Sequence, residues 1–226
     1  ILAGIKREDE VLVPTLTFIA PVHAILYQNA VPVFMDIDQY CNLDVEKTIQ
    51  FIEEETEFKN GITINKKTGR KIGAVIPVHV FGNAVWLDEL INICTERNIV
   101  IIEDSCEALG TTYNSGVHLG KHAGTVGSIG CLSFNGNKII TTGGGGMILL
   151  DDAHLAEKAI YLTTQAKDDA IHYIHNEIGY NFRMPNILAA LGVAQLEQLP
   201  DLILTRKNNY NYYRNSIKTI PGLSIL

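Results

Sequence analysis

The sequence predicts an α/β protein in which helices cover both faces of a mostly parallel sheet, in three α/β/α layers. Short apolar runs alternate along the chain with longer segments that carry one apolar face, which is the pattern of parallel strands joined by helices. Hydrophobic residues make up 46% of the 226 residues and charged residues 19%. A chain of this size and composition can bury a sizeable core.

The predicted strands are apolar runs bounded by turn-forming residues. They are Glu10–Val13, Val31–Met35, Gly73–Pro77, Ile99–Glu103, Gly130–Phe134 and Gly145–Leu150. The predicted helices have apolar residues that recur with helical spacing. They are Phe18–Tyr27, Val45–Glu54, Trp86–Glu96, Leu155–Leu162, Pro185–Gln198 and the polar, tyrosine-bearing segment Asp201–Lys218.

The segment 57–71 is polar and rich in turn-forming residues, including the pairs Asn60–Gly61 and Thr68–Gly69. Such pairs favour tight turns between antiparallel strands. We therefore expect a surface hairpin between a helix and the next strand.

Both ends of the chain indicate a piece of a longer protein. Ile1–Gly4 is predicted as the last turn of a helix, and Pro221–Leu226 as the beginning of a strand. We expect residues 1–199 to form a large domain whose N-terminal part is missing. Residues 200–226 are then a linking helix and the start of a truncated C-terminal domain.

Charge and cysteine usage limit the possible partners. The net charge is −7 without a basic cluster, which argues against nucleic-acid binding. No signal peptide and no apolar run of membrane length is visible. The four cysteines lack paired metal-ligand spacing and the closely spaced histidines lack supporting ligands, so no metal site is predicted. Cys94 and Cys131 lie in apolar stretches, which favours reduced thiols in a cytoplasmic protein.

Lys138 and Asp104 are the candidate chemical groups. Lys138 is followed by Gly143–Gly146, and Asp104 follows the apolar run Asn98–Glu103, at the end of a strand where α/β sheets bind ligands. Taken alone, Lys138 could be a solvated lysine, the glycines a flexible turn, and Asp104 a cap or loop carboxylate. Together they match pyridoxal phosphate chemistry, in which a lysine carries the aldehyde as a Schiff base and an aspartate keeps the ring nitrogen protonated.

A series of segments resembles the DegT/DnrJ/EryC1/StrS family of sugar aminotransferases, pyridoxal phosphate-dependent enzymes of fold type I. They are Val13–Phe18, Val33–Asp38, Pro77–Gly82, Ile102–Gly110, Leu132–Lys138 and Gly179–Arg183, in this order. The resemblance covers nearly the whole chain. Pro77–Asn83 and the polar insert before it are also similar to enzymes of the legionaminic acid pathway.

The resemblance implies a role for each matching residue. Lys138 is the Schiff-base lysine and catalytic base, Asp104 pairs with the ring nitrogen, and Phe18 stacks on the cofactor ring. The Ser133 hydroxyl reaches the cofactor phosphate. Glu107 stands where the family often has glutamine, near the ring hydroxyl, and a carboxylate there needs a proton or a donor neighbour.

The resemblance also implies a homodimer with shared active sites. Asn181 matches the residue that crosses from the neighbouring subunit to the cofactor phosphate. Arg183 in the same segment is equally compatible with a role in an ion pair at the dimer interface. Two features depart from the family pattern: the chain has four glycines where an acidic residue is usual, and the glycine–threonine phosphate turn precedes its first residue.

The implied function is a cytoplasmic transaminase for surface glycan biosynthesis. It converts a nucleotide-linked keto-sugar, a UDP-linked 4-keto-6-deoxy hexose, to an amino sugar with glutamate as donor. One alternative is the dehydratase branch of the family, in which histidine replaces the Schiff-base lysine, so Lys138 disfavours it. The other is an inert dimeric binding or regulatory module, against which Lys138, Asp104 and Ser133 argue together.

Overall fold

The computed structural model describes residues 1–169 and 171–225. Its strands are β1 (Glu10–Pro14), β2 (Val31–Met35), β3 (Thr56–Lys59), β4 (Ile62–Asn65), β5 (Lys71–Val75), β6 (Val100–Asp104), β7 (Ile129–Ser133) and β8 (Gly146–Leu149). Its α-helices are α1 (Ile19–Tyr27), α2 (Val45–Glu54), α3 (Asp88–Glu96), α4 (Ala153–Thr163), α5 (Asn186–Leu196) and α6 (Leu199–Ile217). A 3₁₀ turn covers Val80–Gly82.

The strands form one mixed, mostly parallel sheet with the order β2-β1-β5-β6-β7-β8. Neighbouring strands from β2 to β7 run parallel, and β8 pairs antiparallel with β7. Parallel neighbours require long crossover connections. Helices supply them as far as β6, whereas the described segment 105–128 between β6 and β7 contains no helix. The predicted α/β fold is confirmed.

The side chains of β1 show how the three layers are built. Leu12 is completely buried in one apolar cluster together with Ile52 of α2 and Leu90 of α3. Its neighbours Val11 and Val13 point to the other face of the sheet, into a second cluster that includes residues of α1. Successive side chains of a strand alternate between faces, so an unbroken apolar strand must be covered on both sides.

The hairpin predicted in 57–71 exists, but it is part of the sheet. Its turn has Asn60 and Gly61 at φ 52° and 78°, the left-handed conformation that a two-residue hairpin requires. Thr63 of β4 pairs antiparallel with Ile72 of β5 and is completely buried. Residues 57–62 are exposed, as expected of a surface hairpin. The hairpin also joins the sheet because β6 pairs only with the later part of β5, which leaves the first residues of β5 free to pair with β4.

Strand boundaries differ from the prediction by one or two residues near the candidate site. β5 begins at Lys71 because of its pairing with β4, and it ends at Val75 rather than Pro77. β6 includes Asp104, whose N–H donates to the Pro77 carbonyl at 2.9 Å. Asp104 is therefore the last residue of a strand rather than the first residue after one.

No helix or strand is assigned at either end of the described chain, so the predicted helix end at Ile1–Gly4 stays a prediction. Residues Ile1–Gly4 form a turn in which Gly4 N–H donates to the Ile1 carbonyl at 2.9 Å. No strand occurs in residues 221–225, since a strand needs a partner and none of the described strands lies beside them. Leu226 lies outside the described residues. The division between residues 199 and 200 falls at the start of α6 and stays a prediction.

Within the described ranges, no single helix is long and apolar enough to cross a membrane. The pair α5 and α6 meets the length and composition criteria only jointly, across a bend of 59°.

Candidate active site

Lys138 lies in the loop between β7 and β8, and backbone hydrogen bonds hold this loop onto the end of β7. Phe134 N–H donates to the Gly145 carbonyl and Thr142 N–H to the Phe134 carbonyl, both at 3.0 Å. Lys138 N–H itself closes a turn onto the Asn135 carbonyl at 3.1 Å. The position of the lysine is thus set by a closed loop on a strand end.

Backbone conformation and close packing explain most of the glycine run after Lys138. Gly143 and Gly145 have φ of 81° and 96°, in the left-handed region that favours glycine. A side chain at Gly146 would place its Cβ 2.5 Å from the Leu132 carbonyl oxygen, across the β7–β8 pair. Turn geometry therefore favours glycine at positions 143 and 145, and the close approach of two strands requires it at position 146, whereas Gly144 has open space around it.

The Lys138 side chain is only 11% exposed and meets two other predicted site residues. Its Nζ lies 3.5 Å from Glu107 Oε1 and 5.0 Å from the centroid of the Phe18 ring. A cation over an aromatic face at this distance is attracted by the ring. Phe18, which immediately precedes α1, is 61% exposed, so its ring borders open space beside the amine.

Glu107 has a second contact that fixes its orientation. Its Oε2 accepts a hydrogen bond from Phe81 N–H at 2.9 Å. Phe81 has φ 54° and ψ 19°, an uncommon conformation for a residue with a bulky side chain. The carboxylate therefore has two donor neighbours, the Lys138 ammonium and a backbone N–H, as the sequence analysis required of a glutamate at this position.

Asp104 is held at the carboxyl edge of the sheet by its backbone. Its carbonyl accepts from His79 N–H at 3.0 Å, and its Oδ1 accepts from Cys106 N–H at 3.1 Å. Burial first, and the Asp104 carboxylate next, raise the pKa of the Cys106 thiol far above its ordinary value, while Lys138 acts in the opposite direction. Asp104 and Lys138 thus both lie within electrostatic range of one thiol.

A cavity of about 830 Å³, a size typical of ligand sites, opens beside Lys138 and Glu107, while Phe18 and Asp104 are not among its lining residues. Lys138, Glu107, Cys106 and Ser133 line it. Ser133 is the last residue of β7, and its Oγ accepts from Asn135 N–H at 3.3 Å.

Asn181 lies apart from this cluster. It forms an isolated β-bridge with Thr164, beyond the end of α4, and is exposed. Across residues 1–169 and 171–225, no hydrogen bond joins it to Lys138, Asp104 or Ser133. Arg183 forms no ion pair within the same ranges. The crossing of Asn181 into a neighbouring subunit and the interface role of Arg183 both stay predictions.

A buried pair next to Asp104 was not predicted from the sequence. His79 Nε2 lies 2.8 Å from Glu103 Oε2, and both side chains are completely buried. His79 Nδ1 accepts from Val85 N–H at 2.9 Å, so the ring proton sits on Nε2 and points at the carboxylate. Both residues fall in segments that carry the family resemblance, which was the signal available in the sequence.

Glu103 also binds the turn before β7. Its oxygens accept from the N–H groups of Gly124 at 2.8 Å, Val126 at 2.7 Å and Gly127 at 2.5 Å. Burial opposes ionisation, but the hydrogen bonds from His79 and Gly127 outweigh it and hold the Glu103 pKa below its ordinary value. The carboxylate therefore connects three segments at the carboxyl edge of the sheet.

Four of the predicted site residues fit pyridoxal phosphate by their chemistry. They are an amine for its aldehyde, a carboxylate for its ring nitrogen, an aromatic face for its ring and a hydroxyl for its phosphate: Lys138, Asp104, Phe18 and Ser133. In addition, Thr17 Oγ1 is buried without a hydrogen-bond partner among the described residues, so it is available to a ligand.

Known proteins resemble this chain over its full length. EpsN of Bacillus subtilis (strain 168), provisionally assigned as a pyridoxal phosphate-dependent aminotransferase, is 38% identical over 226 residues, 100% of this chain and 54% of EpsN. GDP-perosamine synthase of Escherichia coli O157:H7 is 38% identical over 217 residues, 96% of this chain and 54% of the synthase. A crystal structure of a DegT DnrJ EryC1 StrS aminotransferase from Brucella abortus matches with a TM-score of 0.84 at 27% identity, covering 99% of this chain and 57% of that one.

The chain spans about half the length of the curated relatives it matches. The names of these relatives do not confirm the narrower resemblance to the legionaminic acid pathway. The profile of the DegT/DnrJ/EryC1/StrS aminotransferase family matches residues 1–226. The chain therefore belongs to the DegT/DnrJ/EryC1/StrS aminotransferase family.

Proposed function

We propose that the full-length protein carrying this chain is a pyridoxal phosphate-dependent aminotransferase that acts on nucleotide-linked keto-sugars. The observation that carries the proposal is the placement of Lys138 Nζ against the Phe18 ring and Glu107, on the loop that follows β7. The names of two relatives support it, since one is assigned as an aminotransferase that uses this cofactor and the other makes a GDP-linked sugar.

Each site residue has a task in this proposal. Pyridoxal phosphate, when bound, supplies an electron sink that makes a proton easier to remove from the carbon beside the amino group. Lys138 Nζ takes that proton and returns it one position away, as a general base and acid. Asp104 keeps a proton on the ring nitrogen, and Ser133 binds the phosphate. The Phe18 ring covers one face of the site and keeps water from the reacting atoms.

Glu107 and the loop contacts keep Lys138 in place for this task. The carboxylate lies 3.5 Å from Nζ and is itself oriented by Phe81 N–H. A proton-transfer group must lie within hydrogen-bond reach of the atom it serves, so restriction of the lysine side chain favours the reaction.

The acceptor in this proposal is a nucleotide-linked 4-keto-6-deoxy hexose, the donor is glutamate, and the product enters surface glycan biosynthesis. The family resemblance favours a UDP-linked sugar, whereas the name of the synthase relative favours a GDP-linked one. We further propose a cytoplasmic homodimer, with residues 1–199 in the large domain and 200–226 leading into the second. The four cysteines are free thiols, which suits that compartment.

The two alternative functions agree less well with the residues of this site. The dehydratase branch has histidine in place of the Schiff-base lysine, and this chain has Lys138. An inert binding module has no need of a lysine that is restrained between an aromatic ring and a carboxylate. Lys138 therefore favours the aminotransferase over both.

The decisive experiment uses the full-length protein loaded with pyridoxal phosphate. We expect borohydride reduction to attach the cofactor to the peptide that contains Lys138, and transamination of UDP- or GDP-linked 4-keto sugars with glutamate. Lys138→Ala should lower the rate at least ~10³-fold. Lys59→Ala, on the exposed hairpin, is the matched control and should leave the rate unchanged. Full activity of Lys138→Ala would show that the proposal is wrong.

A further inference from the structure

The cavity beside Lys138 has a second wall that the proposed chemistry does not use. Arg206, Lys207 and Asn211 of α6 line it, opposite residues of the loops that follow β6 and β7. α6 is packed closely there, because a Cβ at Gly110 would lie 2.4 Å from Cδ1 of Ile203. The helix thus lies so close to the site that position 110 has no room for a side chain.

The charge of the cavity is opposite to that of the chain. Its lining contains three cationic side chains, Lys138, Arg206 and Lys207, and one carboxylate, Glu107, a net charge of +2. The whole chain carries −7. A cavity with a net positive charge raises the local concentration of anions.

The α6 cations are not neutralised within the described ranges. Glu107 is already shared between Lys138 and Phe81 N–H. Arg206 and Lys207 form no ion pair in residues 1–169 and 171–225. Two adjacent free cations on one helix can neutralise two neighbouring negative groups, and guanidinium in particular binds phosphoryl oxygens in a bidentate manner.

We propose that Arg206 and Lys207 bind the diphosphate of the nucleotide-linked substrate. This inference rests on the proposed function, since it assigns a subsite for the same acceptor. The two carboxylates of glutamate are held apart by its side chain, whereas the two phosphoryl groups of a diphosphate share one bridging oxygen and match two neighbouring cations. Ser133 at the end of β7 already serves the cofactor phosphate. The neutral side chains of Asn211 on α6 and Asn114 in the loop after β6 also line the cavity and offer hydrogen-bonding groups for the rest of the nucleotide.

The test compares the cofactor-loaded full-length protein with its Arg206→Gln/Lys207→Gln variant. UDP, GDP and inorganic pyrophosphate are titrated by calorimetry. We expect the Kd for nucleoside diphosphates to rise about 10- to 100-fold, as for loss of charge-assisted hydrogen bonds. The salt dependence of binding should become weaker. Arg214→Gln, at the last turn of the same helix and outside the cavity lining, is the matched control and should keep the wild-type Kd.

Other outcomes overturn the inference. Unchanged nucleotide affinity in the double variant means that the two cations only interact with solvent. Loss of bound cofactor, or a raised KM for glutamate, at unchanged nucleotide affinity means that they serve another anion. Arg206→Lys keeps the positive charge but changes the shape of the side chain. It should keep most of the wild-type nucleotide affinity if the charge provides the binding. An unfolding midpoint equal to that of the wild type shows that the double variant is folded.

The result also separates this inference from the proposed function. If no keto-sugar is aminated but the double variant loses UDP or GDP binding, the proposed function fails and the diphosphate site stands. If wild type and double variant aminate the sugar with the same KM, the function stands and the subsite is refuted.

Discussion

The imidazole of His79 and the carboxylate of Glu103 meet at 2.8 Å in a completely buried position, and they join the carboxyl ends of two parallel strands. His79 lies beyond the end of β5, and Glu103 immediately precedes Asp104 in β6. Because the His79 backbone N–H also bonds the Asp104 carbonyl, the pair fixes the backbone from which the Asp104 side chain projects. The buried pair thus connects the packing of the sheet with the candidate site.

Removing the Glu103 carboxylate should strongly destabilise the protein. In Glu103→Gln, an amide NH₂ group replaces one of the two oxygens that accept hydrogen bonds in the wild type. At least one N–H of the 124–127 turn or of His79 therefore loses its acceptor. We expect a loss of about 2–4 kcal/mol in the free energy of unfolding, measured by urea denaturation of the full-length protein. Glu96→Gln, at an exposed position of α3, should stay within about 0.5 kcal/mol of wild type.

Glu103 should also make stability depend on pH. Its pKa is lower in the folded protein than the ordinary value of 4.5, because the hydrogen bonds to its carboxylate outweigh its burial. A carboxyl group of this kind stabilises the fold above its unfolded-state pKa and loses the effect as pH falls through its folded-state pKa. We expect the difference in unfolding free energy between wild type and Glu103→Gln to shrink below pH 4.5. A constant difference from pH 7 to pH 3 would contradict this assignment.

Substitutions of Glu107 should separate its two contacts. Glu107→Gln keeps an acceptor for Phe81 N–H but removes the charge near Lys138, whereas Glu107→Ala removes both. Because an ion pair at 3.5 Å with partial exposure contributes little, we expect the glutamine variant to be about 1 kcal/mol more stable than the alanine variant. Equal unfolding free energies of the two variants would mean that the bond from Phe81 does not hold this loop.

Gly130 should not tolerate a side chain. A Cβ at this position of β7 would lie 1.9 Å from the Gly124 carbonyl oxygen, in the turn that donates to Glu103. We expect Gly130→Ala to cost at least about 2 kcal/mol of unfolding free energy. Gly144→Ala is the matched control, since no atom lies within 4 Å of its Cβ position. A similar loss in both variants would argue against the steric explanation.

The proposed sharing of active sites can be tested by mixing inactive variants of the full-length protein. If Asn181 acts across the interface, Lys138→Ala and Asn181→Ala subunits form heterodimers with one intact and one doubly altered site. An equal mixture that exchanges subunits should then recover about a quarter of wild-type activity. Activity no higher than that of the separate variants would place Asn181 in the same site as the Lys138 of its own chain.

Part of the candidate site could be predicted from the sequence because the evidence was local. Lys138 stands in a glycine-rich segment, and Asp104 follows an apolar strand pattern, so their type and order were visible without coordinates. The His79–Glu103 pair was not predicted, because 24 residues separate its members and only the parallel pairing of β5 and β6 brings them together. The pairing of β4 with β5 was not predicted for a similar reason, since the turn residues of a hairpin do not show which other strand the hairpin joins.

The sequence alone determined the layered α/β fold, the order of its elements and the identity of the catalytic candidates, because periodicity and turn chemistry act over short stretches of chain. Only the tertiary structure decided which side chains meet. It placed Lys138 between Phe18 and Glu107, and it brought the Arg206–Lys207 pair of α6 to the same cavity. These contacts depend on strand order and helix packing, which are non-local and have no signature in any one segment.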